Sequence, residues 1–209
     1  MRYGIISDVH EDLSRLKTAI AELSQRGVDR IISLGDIIDP DTGDIKCLDF
    51  IMKQSPLAVI GNHDKLTLTC YPLEDLHRDY LESIPEEIQL EKDILMTHAN
   101  PLQKARQGKG RWYTGSYIYN DEDAREVFEN CDKKIILVGH THIPRAFWES
   151  GSKHFEESEA FQLDRNERYI LNPGAVGGYV KDTNPSISCA VLDTDKYIFE
   201  ILRIKDKNE

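Results

Sequence analysis

The sequence predicts an α/β fold, and three observations carry that prediction. Short apolar runs of strand length alternate with longer stretches of helical period. The runs are continuous and rich in Ile and Val, the pattern of strands covered on both faces. Each of the first five leads at once to Asp, Asn or His, so polar chemistry collects where strands end.

In chain order, "YGIIS" and "RIISL" read as the first two strands. Between them "EDLSRLKTAIAELSQRG" reads as a helix, with Leu13, Leu16, Ile20 and Leu23 on one face and Gly27 as its stop. That is a βαβ unit. "CLDFIMKQ" reads as a second helix, "LAVI" as a third strand, and "LEDLHRDYLESI", opening just behind Pro72, as a third helix. "ILMT" and "IILVG" are the fourth and fifth strands. Between these two, residues 100–119 form a long loop whose Lys104, Arg106, Lys109, Arg111, Trp112 and Tyr113 either contact a phosphate or base or are simply solvated. Past Arg145, "AFW", "EAFQL", "RYIL", "SCAVLD" and "KYIFEILRI" look like antiparallel strands, "AVLDTDKYIFEI" like a hairpin, and "KDKNE" like a frayed tail.

At 209 residues the chain can bury a sizeable core, and a single domain over residues 1–209 is expected. No apolar run approaches the ~20 residues of a membrane helix, and "MRYGIISDVH" lacks a signal-type cleavage site, so a cytoplasmic protein without a membrane partner is expected. The net charge of -11, from 26 Lys plus Arg against 37 Asp plus Glu, argues against a broad surface for nucleic-acid backbone. Cys47, Cys70, Cys131 and Cys189 form no CxxC pair and are expected to be reduced, mostly buried thiols.

The five strand ends carry Asp8-Val9-His10, then Asp36 with Asp39 three residues on, then Asn62-His63-Asp64, His98, and His140-Thr141-His142. His140 and His142 alone would pass for surface residues. Five of the seven histidines, however, sit at these points, and ligands bind beyond the carboxyl ends of strands in open α/β sheets. The candidate ligands Asp8, His10, Asp36, Asn62, His98, His140 and His142 offer nitrogen and oxygen without thiolate. That set is too large for one tetrahedral zinc and suits two adjacent ions of manganese, iron, zinc or nickel type. Asp36, in the middle of the set, is the natural bridge. Two ions about 3.5 to 4 Å apart clamp a phosphate and supply hydroxide for in-line attack.

"DVH", "GDIID", "GNHD", the lone His of "MTHA" and "GHTH" resemble, in order, the five blocks of the calcineurin-like metallophosphoesterases, and the compact form is similar to the small bacterial and archaeal members. The resemblance implies a four-layer α/β/β/α sandwich of two mixed sheets flanked by helices. It implies two divalent cations, manganese first with iron, zinc or nickel as alternatives. One would be held by Asp8, His10, Asp36 and His142 and the other by Asp36, Asn62, His98 and His140. It gives His63 a catalytic place beside the phosphate, stabilising charge or protonating the leaving oxygen, with Asp39 orienting it. The implied activity is phosphate-ester hydrolysis by in-line attack of a metal-bridging hydroxide. The expected partner is a small phosphate-ester or nucleotide substrate, with phosphodiesters ahead of phosphomonoesters or phosphoproteins. A reading of another class is a non-catalytic scaffold, since the family includes a retromer subunit that has lost catalytic groups. Its DNA-repair nucleases are longer and carry regions not found in this chain.

Three features depart from the family pattern or extend it. Many relatives have Gly-Asn after the first block, where Glu11-Asp12 stands here, either capping the helix near Leu13 or narrowing substrate choice. Ala99-Asn100-Pro101 replaces a Gly-Ser-Pro after His98 and alters the loop entrance. "NPGAVGG", from Asn172 to Gly178, resembles a late turn of the small members and is expected near the rim of the site, whereas His77 and His154 receive no function.

Overall fold

The computed structural model describes residues 1–41, 43–54, 56–102, 117–177 and 186–205, and among these described residues twelve strands fall into two six-stranded sheets. The strands are β1 (Arg2–Ile6), β2 (Arg30–Ser33), β3 (Leu57–Ala58), β4 (Glu87–Glu91), β5 (Ile94–Thr97) and β6 (Ile135–Leu137). They continue as β7 (Arg145–Trp148), β8 (Gly151–His154), β9 (Glu159–Gln162), β10 (Tyr169–Asn172), β11 (Ser186–Asp193) and β12 (Ile198–Lys205). The helices are α1 (Leu13–Gln25), α2 (Lys46–Gln54), α3 (Asn62–Cys70), α4 (Asp75–Ser83) and α5 (Asp121–Asn130).

One sheet runs β3-β2-β1-β11-β12-β9 and the other β4-β5-β6-β10-β7-β8. Both are mixed. β1 pairs parallel with β2 and antiparallel with β11, while β10 pairs parallel with β6 and antiparallel with β7. The expectation of antiparallel strands past Arg145 therefore fails for one partner of β10. The hairpin is present as β11 and β12, in register from Ser186↔Lys205 to Asp193↔Ile198.

Strand alternation builds the layers. In β1, Ile5 enters the core between the sheets and Ile6 the core under α1, α2 and α4; in β11, Ala190 and Leu192 face the first and Cys189 and Val191 the second. Across the second sheet, Ile135 and Leu137 join the inter-sheet core, whereas Ile136 packs under α5 with Val127 and Phe128. The result is the α/β/β/α sandwich. Phe155 and Phe199, fully buried between the sheets, each contribute about 1.5 to 3 kcal/mol of apolar burial.

Helix α1 buries Leu16, Ala19, Ile20 and Leu23 and is capped by Asp12, whose carboxylate accepts from Arg15 N at 2.9 Å. Capping thus accounts for Asp12. "LAVI" forms a strand only over Leu57–Ala58. The block behind it is not a loop: Asn62, His63 and Asp64 are the first turn of α3. Two of the thiols, Cys47 and Cys189, are buried, but Cys131 is half-buried and Cys70 exposed, so "mostly buried" holds for half of them. The basic residues from Lys104 to Tyr113, Gly178 and the tail beyond Lys205 lie outside the described residues.

Candidate active site

The five predicted blocks converge, although their strands belong to two sheets rather than one. β1, β2 and β3 bring Asp8, His10, Asp36, Asn62 and His63 from one side; β5 and β6 bring His98, His140 and His142 from the other. Backbone bonds stitch the turns. Val9 N and His10 N donate to Asp36 O at 2.8 and 3.1 Å, and Gly139 N donates to His98 O at 2.9 Å. Between the sheets, Val176 N and Gly177 N donate to Ser7 O and Asp8 O, each at 2.9 Å.

The turns are sharp. Asp8, His10, Asp36, His140 and His142 all have positive φ, from 46 to 66°, a region that residues bearing a Cβ enter reluctantly. Glycine permits the close approaches beside them. A Cβ on Gly61 would lie 2.1 Å from Asp36 Oδ1, and one on Gly139 would lie 2.0 Å from Ser7 Oγ.

Two donor groups result. Asp8, His10 and His142 each offer a ligand atom within 4.8 Å of the others, as do Asp36, His98 and His140. In the first, His142 Nε2 lies 3.3 Å from Asp8 Oδ1 and 3.1 Å from His10 Nε2. In the second, His98 Nε2 lies 3.2 Å from Asp36 Oδ2 and 2.9 Å from Asn62 Oδ1. His98 Nδ1 donates to Leu34 O at 2.7 Å, which turns Nε2 toward the cluster. His10 Nδ1, at 2.9 Å from Asp39 Oδ1, does the same for its ring. Buried carboxylates facing several imidazole nitrogens are a donor set that fits divalent transition metals.

His63 falls within the same range of His10 and Asp36, so distance alone does not separate it from the ligands. Its partner does. His63 Nδ1 lies 2.5 Å from Asp39 Oδ1, the same oxygen that faces His10, and the two rings meet edge to face with centroids 4.8 Å apart.

Charge is sorted by neighbours. Burial opposes ionisation of Asp8, but His142, His98 and His10 hold its carboxyl below the usual range; His98 does the same for Asp36, and His10 and His63 for Asp39. Burial also disfavours the charged form of His98, yet Asp36 and Asp8 raise it to about 9. His140, desolvated and beside that positive ring, is lowered to about 4 and is neutral at pH 7.

Several supports carried no assigned role in the sequence reading. Asp64, fully buried, accepts from Asp36 N and Gly61 N at 2.9 Å each, Ile37 N at 2.8 Å and Ile38 N at 3.2 Å. It ties the second block to the third, and its only sequence signal is an acid directly behind two candidate residues. Asn172 donates to Gly139 O at 2.7 Å and Thr141 Oγ1 at 3.1 Å, holding the last turn. "NPGAVG" lies beside the site as expected, but with Asn172 and Val176 buried it braces the turns and is no exposed rim. Asn100 is turned inward too, its Oδ1 accepting from Leu102 N at 2.9 Å. Tyr117 stacks on His140, with centroids 4.3 Å apart and an interplanar angle of 14°, a contact no spacing announces.

A two-sheet sandwich with histidines and aspartates at five strand ends defines a metallophosphoesterase, and the chain belongs to the calcineurin-like phosphoesterase superfamily, whose domain model matches residues 1–197. It is similar to an uncharacterized protein of Methanocaldococcus jannaschii, 28% identical over 97% of this chain and 86% of that protein. Its structure is similar to a metallophosphoesterase from Sphaerobacter thermophilus, with a TM-score of 0.83 and 30% identity over 99% of this chain and 89% of the other. A novel archaeal phosphodiesterase shares the fold at a TM-score of 0.57 and 17% identity, over 98% of this chain and all of that one.

Proposed function

We propose that the chain hydrolyses a phosphate ester, of phosphodiester or nucleotide type, with two divalent metal ions as cofactor. The observation that carries this reading is the pair of donor groups, Asp8-His10-His142 and Asp36-His98-His140, side by side at the strand ends. Asp8, His10, Asp36 and His142 would hold one ion and Asp36, Asn62, His98 and His140 the other. Bound there, such ions supply Lewis acidity toward phosphoryl oxygens and make water a nucleophile near neutral pH.

The chain's own residues supply the rest. His63, oriented through Nδ1 by Asp39, is the group that meets the leaving oxygen with a proton or positive charge. Asp39 draws its pKa upward against the opposing effect of burial, which keeps the proton available. Manganese is the first choice of ion and a small phosphate ester the expected substrate; a cytoplasmic setting accords with reduced thiols.

The test is metal analysis of the purified protein, paired with a screen of phosphomonoesters, cyclic and linear phosphodiesters, dinucleoside polyphosphates and phosphopeptides. Two bound ions and turnover of a diester or nucleotide are expected. A protein that leaves every ester untouched with manganese added, and whose His63→Ala variant still supports a cellular function, would instead be a scaffold.

A further inference from the structure

We propose that Glu11 is a positioning residue for the His63–Asp39 pair, fixing the backbone of the turn that carries Asp39. The inference rests on the phosphoesterase reading above. Glu11 has φ 64°, in the left-handed region that favours glycine. Helix α1 does not require that conformation of a glutamate, because Asp12 makes the cap. Its side chain reaches the next block instead. Glu11 Oε1 accepts from Asp39 N and from Asp44 N, each at 3.1 Å, and its own N–H donates to Ile37 O at 3.2 Å.

One residue thus holds the turn at three points between Ile37 and Asp44. From another direction Tyr71 lies so close to Gly43 that a Cβ there would fall 1.9 Å from Tyr71 Cζ. The grip matters because one oxygen, Asp39 Oδ1, faces both His10 Nδ1 at 2.9 Å and His63 Nδ1 at 2.5 Å. Drift of the Asp39 backbone would re-aim His63 at the leaving oxygen, and displacements on the order of 1 Å are costly in such geometry.

The test compares Glu11→Gly, which relieves the φ and removes the acceptor, with Glu11→Gln, which keeps an acceptor oxygen. The manganese-loaded protein is assayed on an alkyl phosphoester and on its p-nitrophenyl counterpart, whose leaving group needs no proton. Glu11→Gly should lower kcat on the alkyl ester about tenfold, spare the nitrophenyl ester, and leave KM unchanged. Glu11→Gln should recover wild-type kcat. In a His63→Ala background Glu11→Gly should add no further loss. Equal losses on both esters, additive losses in that background, or no loss would overturn the proposal. Imidazole NMR of His63 in the diamagnetic zinc-loaded protein provides a readout independent of turnover: the Nδ1 resonance should move in Glu11→Gly and hold in Glu11→Gln. A resonance unmoved in Glu11→Gly overturns the positioning role, whereas a wild-type protein that cleaves no ester counts against the phosphoesterase reading.

Discussion

His140 donates its backbone N–H to both carboxylate oxygens of Asp8, at 3.2 and 3.0 Å, across 132 residues of sequence and from one sheet to the other. The side chain proposed to hold one ion therefore also locks the turn that supplies a ligand to the second. Asp8→Ala should strip metal and, by leaving a buried N–H unpaired, cost about 1 to 3 kcal/mol of stability. Asp8→Asn should recover most of the stability but not the metal. Urea denaturation of the metal-free variants, beside metal analysis, separates the two effects.

Asp36→Asn and His140→Ala should each reduce bound metal, since Asp36 belongs to both proposed ion sites. His63→Ala should keep both ions and lose about 10²- to 10⁴-fold in kcat on esters with poor leaving groups. Loss of both ions from His63→Ala would show that His63 is a ligand.

Asp64, fully buried, anchors four backbone N–H groups. Asp64→Ala should cost about 3 kcal/mol or more, the range for stranding donors of a buried charged acceptor. Asp64→Asn should cost less, because one acceptor oxygen remains. A smaller loss in Asp64→Ala than in Asp64→Asn, measured by thermal or urea unfolding, would contradict this keystone role.

Metal loading should release a proton from His98. Without an ion its pKa, about 9, exceeds the unfolded value, so at pH 7 it carries a proton that must leave before Nε2 can bind metal. Affinity should rise with pH up to about 9 and then level off. The same shift sets the pH dependence of the metal-free fold: the contribution of the His98–Asp36 pair is complete below an unfolded pKa of about 6.5 and fades as pH rises through about 9. Calorimetry in buffers of different ionisation enthalpy measures the released proton directly.

The thiols should label unequally. Burial raises Cys47 and Cys189 to about 12, so both stay protonated and shielded at pH 8. Cys70, exposed, should react first with a thiol reagent and Cys131 next. Rapid labelling of all four sites in the folded protein would contradict the packing of α2 and β11.

The five blocks were legible because strand ends and ligand types coincide in the sequence: "DVH" and "GHTH" stand directly behind apolar runs. Elements without that contrast were not. β4, "EIQLE", is a charged edge strand and β8, "GSKH", has no apolar residue but glycine to mark it. Helix α3, Asn62–Cys70, was hidden because residues read as loop ligands also open a helix. The roles of Asp64, Asn172 and Glu11 depend on which backbone groups reach their oxygens, and spacing along the chain does not encode that. Tyr117 on His140 is of the same kind, a stack between the segment leading into α5 and the turn behind β6.

The left-handed turns at Asp8, His10, Asp36, His140 and His142 also bear on transplantation. Donors copied onto a scaffold with ordinary extended or helical backbone would point along other vectors and miss one another, however faithful the residue types. The portable unit is the strand with its reversed turn and the tight glycine contact beside it. A borrowed site of this kind has to be cut from the chain as backbone first and side chain second.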